Sequence, residues 1–138
     1  MSKALLIALV VIAALALVRF TRRSGAAAMT APIGSGEADA QTLLALRNAG
    51  ADLTKPTEVN FYLYFPTREA AERAADSART PSFTAKVGEG ADGKSWLCRV
   101  SGEMVPSESA IRAASTRLQA LAATLGGEYD GWEAAVTR

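Results

Sequence analysis

The stretch SESAIRAASTRLQALAATLGGEYDGW, residues 107–132, decides the fold. Its first part predicts a helix. Ser107 is a natural N-cap, because its hydroxyl can accept a backbone N–H that has no partner inside the helix. Ile111, Ala114, Leu118, Leu121, Ala122 and Leu125 recur at three- and four-residue spacing and form one apolar stripe. Gly126 and Gly127 end it, since glycine accepts left-handed backbone at no steric cost. Glu128-Tyr129-Asp130-Gly131-Trp132 then predicts a turn into a short final strand, with Asp-Gly as the turn signal. A helix apolar on one stripe needs a sheet to lie on.

The residues before it supply that sheet. Residues 58–65 alternate: Val59, Phe61, Leu63 and Phe65 point to one face, and Asn60, Tyr62 and Tyr64 to the other. Pro66-Thr67 breaks the strand, and Thr67 caps a helix that runs to about Ser77. That helix has an alanine face (Ala70, Ala71, Ala74, Ala75, Ala78) and a charge-paired face (Arg68, Glu69, Glu72, Arg73, Asp76). Residues 82–87 alternate again, with Phe83, Ala85 and Val87 on one side. Residues 88–93 (GEGADG) form a hairpin loop. Residues 94–103 make a third strand, with Trp96, Cys98 and Val100 opposing Leu97, Arg99 and Ser101. The order strand, helix, strand, strand, helix, strand is the split βαβ, ferredoxin-like pattern: an α+β fold with two helices on one face of a four-stranded antiparallel sheet. Residues 37–48, with Leu43, Leu44 and Leu46, add a short amphipathic helix in front.

The N-terminus has a different character. Residues 4–18 are fifteen consecutive apolar residues. A spanning helix needs about 20, so the run is short unless Arg19 snorkels and Phe20 counts. We read residues 1–21 as a transmembrane anchor that engages the membrane through residues 4–20. Residues 22–36, rich in Ala, Gly, Ser and Pro, are a flexible linker, and residues 37–138 form the α+β domain. A signal peptide is the competing reading, with Ala26-Ala27-Ala28 as a small-residue cleavage site. Arg19, Arg22 and Arg23 outnumber Lys3, which places the domain on the cytoplasmic side of a bacterial inner membrane, as a single-pass protein. Export to the periplasm is the alternative.

Charge and composition restrict the function. Four of the 15 basic residues, and no acids, lie in residues 1–36, which leaves residues 37–138 with 11 basic against 14 acidic residues, or −3. A mildly acidic domain is a poor nucleic-acid binder. The sequence has no histidine, so the usual general base near neutral pH is missing. Cys98 falls mid-strand on the core face and reads as a structural thiol. The tightest acidic pair, Glu128 with Asp130, lacks partners for a metal site. The loop at 88–93 matches neither a phosphate loop nor a calcium loop. These observations predict a protein that is not an enzyme, with no cofactor, no metal and no small-molecule ligand.

The second sheet face should present Tyr62, Tyr64, Leu97 and Arg99, and aromatics with arginine are typical of binding surfaces. Three readings stand. The face is covered by the 37–48 helix or a second subunit, it binds a protein partner, or it stacks RNA bases as an RRM does. Against RNA, Lys94-Ser-Trp-Leu-Cys-Arg-Val100 lacks the RRM's glycines and paired aromatics.

The order of elements, and above all the run Leu121-Ala-Ala-Thr-Leu-Gly-Gly-Glu-Tyr-Asp-Gly-Trp132, resembles the regulator of ribonuclease activity B family, small bacterial protein inhibitors of ribonuclease E. The resemblance covers about residues 48–136. Tyr129-Asp130-Gly131-Trp132 carries most of it, and the Phe61-Tyr-Leu-Tyr-Phe65 strand leading into an alanine-rich helix adds to it. It implies a non-enzymatic ferredoxin-like domain that binds a protein, the ribonuclease E machinery on the cytoplasmic side of the membrane. Family members of that type are soluble and strongly acidic, whereas here residues 37–138 are only mildly acidic and the chain carries an apolar N-terminal run. The candidate partner-binding residues are Tyr129, Asp130, Gly131, Trp132, Tyr62, Tyr64 and Arg99.

Overall fold

A computed structural model describes residues 35–138. The elements run α1 (Ser35–Asn48), β1 (Thr57–Phe65), α2 (Arg68–Ala78), β2 (Phe83–Glu89), β3 (Trp96–Met104), α3 (Glu108–Thr124) and β4 (Glu128–Ala134). The expected anchor and most of the expected linker lie outside these residues. Among the described residues no helix is long and apolar enough to cross a membrane.

β1 and β3 form the centre of the sheet because their alternation is the most strongly apolar. They pair antiparallel over nine residues, from Thr57 opposite Met104 to Phe65 opposite Trp96. β2 flanks β3 and β4 flanks β1, so the order is β2-β3-β1-β4, with every neighbour antiparallel. Each strand–helix–strand unit therefore straddles a strand of the other, as the element order predicts. Val59, Phe61, Leu63 and Cys98 are fully buried on one face. Each such aliphatic or aromatic side chain contributes about 1.5–3 kcal/mol by leaving water.

The helices cover that face. α2 lies on β2 and β3 through Ala71, Ala74, Ala75 and Ala78, whose small side chains allow close approach. Thr67 caps it as expected, accepting the Ala70 N–H at 3.2 Å. Arg117 of α3 donates to the carbonyls of Ser77 and Ala78 at the end of α2, where a cation also meets the negative end of the helix dipole. α3 lies on β4 and β1. Ser107 accepts the Ala110 N–H at 3.2 Å. At the other end the Gly127 N–H reaches the Ala122 carbonyl and the Gly126 N–H the Ala123 carbonyl. This Schellman pattern uses the positive φ of Gly126.

Three expectations change. α1 starts at Ser35 and does not cover the open sheet face. It packs against α3 and the end of β4, extending the helical layer. Of its leucines, Leu43 and Leu46 are buried and Leu44 is exposed, because residues three apart share a helix face and adjacent ones do not. The buried stripe of α3 includes Ser115, and its Ala114, Leu121 and Leu125 are only half-buried. Finally, Asp130-Gly131 is not a turn. All of residues 128–134 are strand, and the register against β1 shifts between Tyr62 and Leu63.

Candidate functional site

Among the described residues, no helix covers the second face of the sheet. The registers place Tyr62 beside Arg99, Tyr64 beside Leu97, and Asn60 beside Ser101. Lys86 of β2 lies next to Arg99, and Glu133 of β4 next to Asn60. Tyr62, Tyr64 and Leu97 are half-buried by their neighbours, and Arg99 and Lys86 are exposed. Part of this surface is internally tied. The Tyr62 hydroxyl donates to Glu133, and the Ser101 hydroxyl donates to the Asn60 side-chain oxygen at 2.5 Å. Desolvation, reinforced by the Glu133 carboxylate, raises the Tyr62 phenol well above its usual range. Desolvation, with Asp130 and Asp92 nearby, also raises Tyr64. Both phenols are therefore neutral donors at physiological pH. Of the sequence-predicted candidates, Tyr62, Tyr64 and Arg99 come together on this face.

The other four candidates are arranged differently. Trp132 is 3% exposed, and its indole N–H donates to the Asp39 carboxylate of α1 at 2.9 Å. The Ser115 hydroxyl of α3 reaches the same carboxylate oxygen at 3.5 Å and lies 3.0 Å from the Tyr129 hydroxyl. Trp132, Asp39, Ser115 and Tyr129 thus form one polar chain through the core, joining β4, α3 and α1. Burial raises Tyr129 strongly. It also raises Asp39, although the Trp132 and Ser115 hydrogen bonds pull the other way.

The bulge makes this possible. In a regular strand, residues three apart face opposite sides. Here Tyr129 pairs with Leu63, Trp132 with Phe61 and Gly131 with Tyr62, so Asp130 is the extra residue. Both aromatics then turn toward the core. Gly131 has φ +119°, a conformation that glycine adopts readily and other residues rarely do. The Tyr129–Trp132 run therefore joins the last strand to α1 and α3, and its two aromatic side chains point inward.

Asp39 and Ser115 were not singled out from the sequence. Ser115 sits at helical spacing between Ile111 and Leu118, where a polar residue signals a partnered core position. Asp39 gives no local signal in an otherwise ordinary helix. Cys98 is buried, and desolvation pushes its thiol up to about 11, as befits an inert core residue. Among the described residues no group of three or more His, Cys, Asp or Glu could hold a metal ion.

The described residues form a two-layer α+β domain whose helices all lie on one sheet face, leaving aromatic and charged side chains on the other. The chain belongs to the family Regulator of ribonuclease activity B, whose model matches residues 36–134. That span includes both the open face and the Asp39–Trp132 chain. The match makes the protein a member of a family of ribonuclease regulators. No curated protein matches the chain.

Proposed function

We propose that this protein regulates RNA decay without being an enzyme, by docking its open sheet face on a ribonuclease or a protein of its machinery, in the manner of ribonuclease E inhibitors. One observation carries the reading. α1 packs on the helical side, so among the described residues nothing covers the sheet face that carries Tyr62, Tyr64, Leu97 and Arg99. Flat aromatics beside an arginine supply contact area at low entropy cost. Glu58, Glu103, Glu128 and Glu133 on the same face disfavour RNA, whose phosphates they would repel. Residues 4–20 serve as a membrane anchor with the domain facing the cytoplasm, which raises its effective concentration near a membrane-bound partner. Support for the anchor comes from the apolar run and the arginines after it.

Capture from native membranes with the full chain tests the reading. Wild type should retain a ribonuclease, and Tyr64→Ala with Arg99→Ala should lose it while remaining folded by circular dichroism. Recovery of no ribonuclease component would overturn the ribonuclease assignment. A C-terminal reporter that is active only in the periplasm would refute the orientation.

A further inference from the structure

The open face carries an unusual charge arrangement. Glu58 and Glu103 stand directly opposite each other across β1 and β3, and Lys86 and Arg99 directly opposite across β2 and β3. Like charges in cross-strand pairs cost stability. Among the described residues none of these four forms an ion pair, because the four ion pairs present are all elsewhere. The domain keeps two like-charged pairs of opposite sign on one face and neutralises neither internally.

Along β3, the residues on that face are Leu97, Arg99, Ser101 and Glu103. Around Ser101 the pattern is positive, polar, negative. It is complementary to itself when reversed about Ser101. A two-fold axis along the Ser101–Asn60 row would stack two sheets face to face with their strands antiparallel. It would set Arg99 against Glu103 of the second copy, twice. The polar groups on the axis need no outside partner, because Ser101 already donates to Asn60. Glu133, registered opposite Asn60, lies on the same row and meets its counterpart at the edge of the stack, one like-charge contact against the two Arg99–Glu103 contacts.

The area is sufficient. Strands of nine, seven, nine and seven residues at about 3.3 Å per residue, set about 4.8 Å apart, give roughly 510 Å² per copy before side-chain relief, or roughly 1,000 Å² in all. That meets the about 1,000 Å² a specific interface requires, at the weak end of the range.

We propose that the open sheet face pairs with the same face of a second copy, antiparallel about the Ser101–Asn60 row. The dimer withholds from the protein partner the surface it would bind. This regulatory consequence rests on the proposed role of that face; the pairing itself does not.

Sedimentation equilibrium of the full chain, in a density-matched non-ionic detergent and without any partner, tests the pairing. Its failure therefore leaves capture of a ribonuclease undecided, and failed capture leaves the pairing undecided. Wild type should show a reversible dimer that weakens with added salt. R99E and E103R should each weaken it by about tenfold or more, because each replaces two attractions by two repulsions. Mixed together, R99E and E103R chains should pair again, since each then meets the opposite charge. A monomer at all concentrations up to about 1 mM, a dimer indifferent to both reversals, or a loss not restored by mixing would each overturn the proposal. Circular dichroism of each variant separates lost pairing from lost fold.

Discussion

Replacing Asp39 by alanine removes the carboxylate that accepts the Trp132 indole N–H at 2.9 Å. Trp132 is 3% exposed, so water cannot replace the lost acceptor. A hydrogen bond to a charged group is worth about 1.5–3 kcal/mol, and a buried donor left without a partner costs a similar amount. Against this stands a relief. Burial disfavours the ionised Asp39, and its second oxygen has no hydrogen-bond partner among the described residues. The alanine variant should therefore be less stable at pH 7 by about 1–2 kcal/mol, the hydrogen-bond loss less the desolvation relief. Asp39→Asn keeps an oxygen for Trp132 and sheds the charge, so it should lie close to wild type at low pH and be the more stable of the two at pH 7.

The pH dependence gives a sharper test. In the folded chain the Asp39 carboxyl titrates above its ordinary value of 3.8, chiefly because burial disfavours the charge. Below 3.8 the carboxyl is protonated in both folded and unfolded chains, and wild type and Asp39→Asn should differ least. As pH rises past that value the unfolded chain ionises first. Wild type then loses stability relative to Asp39→Asn, by about 1.4 kcal/mol for each pH unit that separates the unfolded from the folded titration. The loss stops once the folded group has ionised as well. Urea unfolding of both proteins at pH 3, 5 and 7, followed by circular dichroism, measures the difference. Wild type gaining on Asp39→Asn as pH rises would refute the reasoning, because it would mean that the hydrogen bonds outweigh desolvation.

Two further outcomes follow from the same core. Gly131→Ala places a side chain at φ +119° in the bulge and should cost roughly 1–3 kcal/mol in urea unfolding. Wild-type stability in that variant would show that the bulge relaxes without strain. Cys98 is fully buried with its thiol pushed up to about 11, so thiol reagents should label it at pH 8 only as fast as the domain opens. Labelling at the rate of a free thiol in native buffer would place it outside the core.

Much of the fold was legible because its signals are local. The alternation in β1, the caps at Thr67 and Ser107 and the paired glycines after α3 each arise from neighbours in sequence, and each stands in the structure. The candidate residues divided according to whether local pattern suffices. Tyr62, Tyr64 and Arg99 were placed on the open face by a period of two that no irregularity interrupts. Tyr129 and Trp132 were not, because a one-residue bulge reverses the alternation between them. A dipeptide such as Asp130-Gly131 serves a bulge as well as a turn.

By itself the sequence determined the element order, the two sheet faces and the resemblance to a family of ribonuclease regulators. Only the tertiary structure decided that α1 lies on the helical side and not over the second face. Leu43 and Leu46 bury that helix in the core, and its carboxylate Asp39 meets Trp132, 93 residues away. Hydrogen-bond pairing over that separation leaves no period or cap in the chain; it exists only once the bulge at Gly131 has turned Trp132 and Tyr129 into the core together.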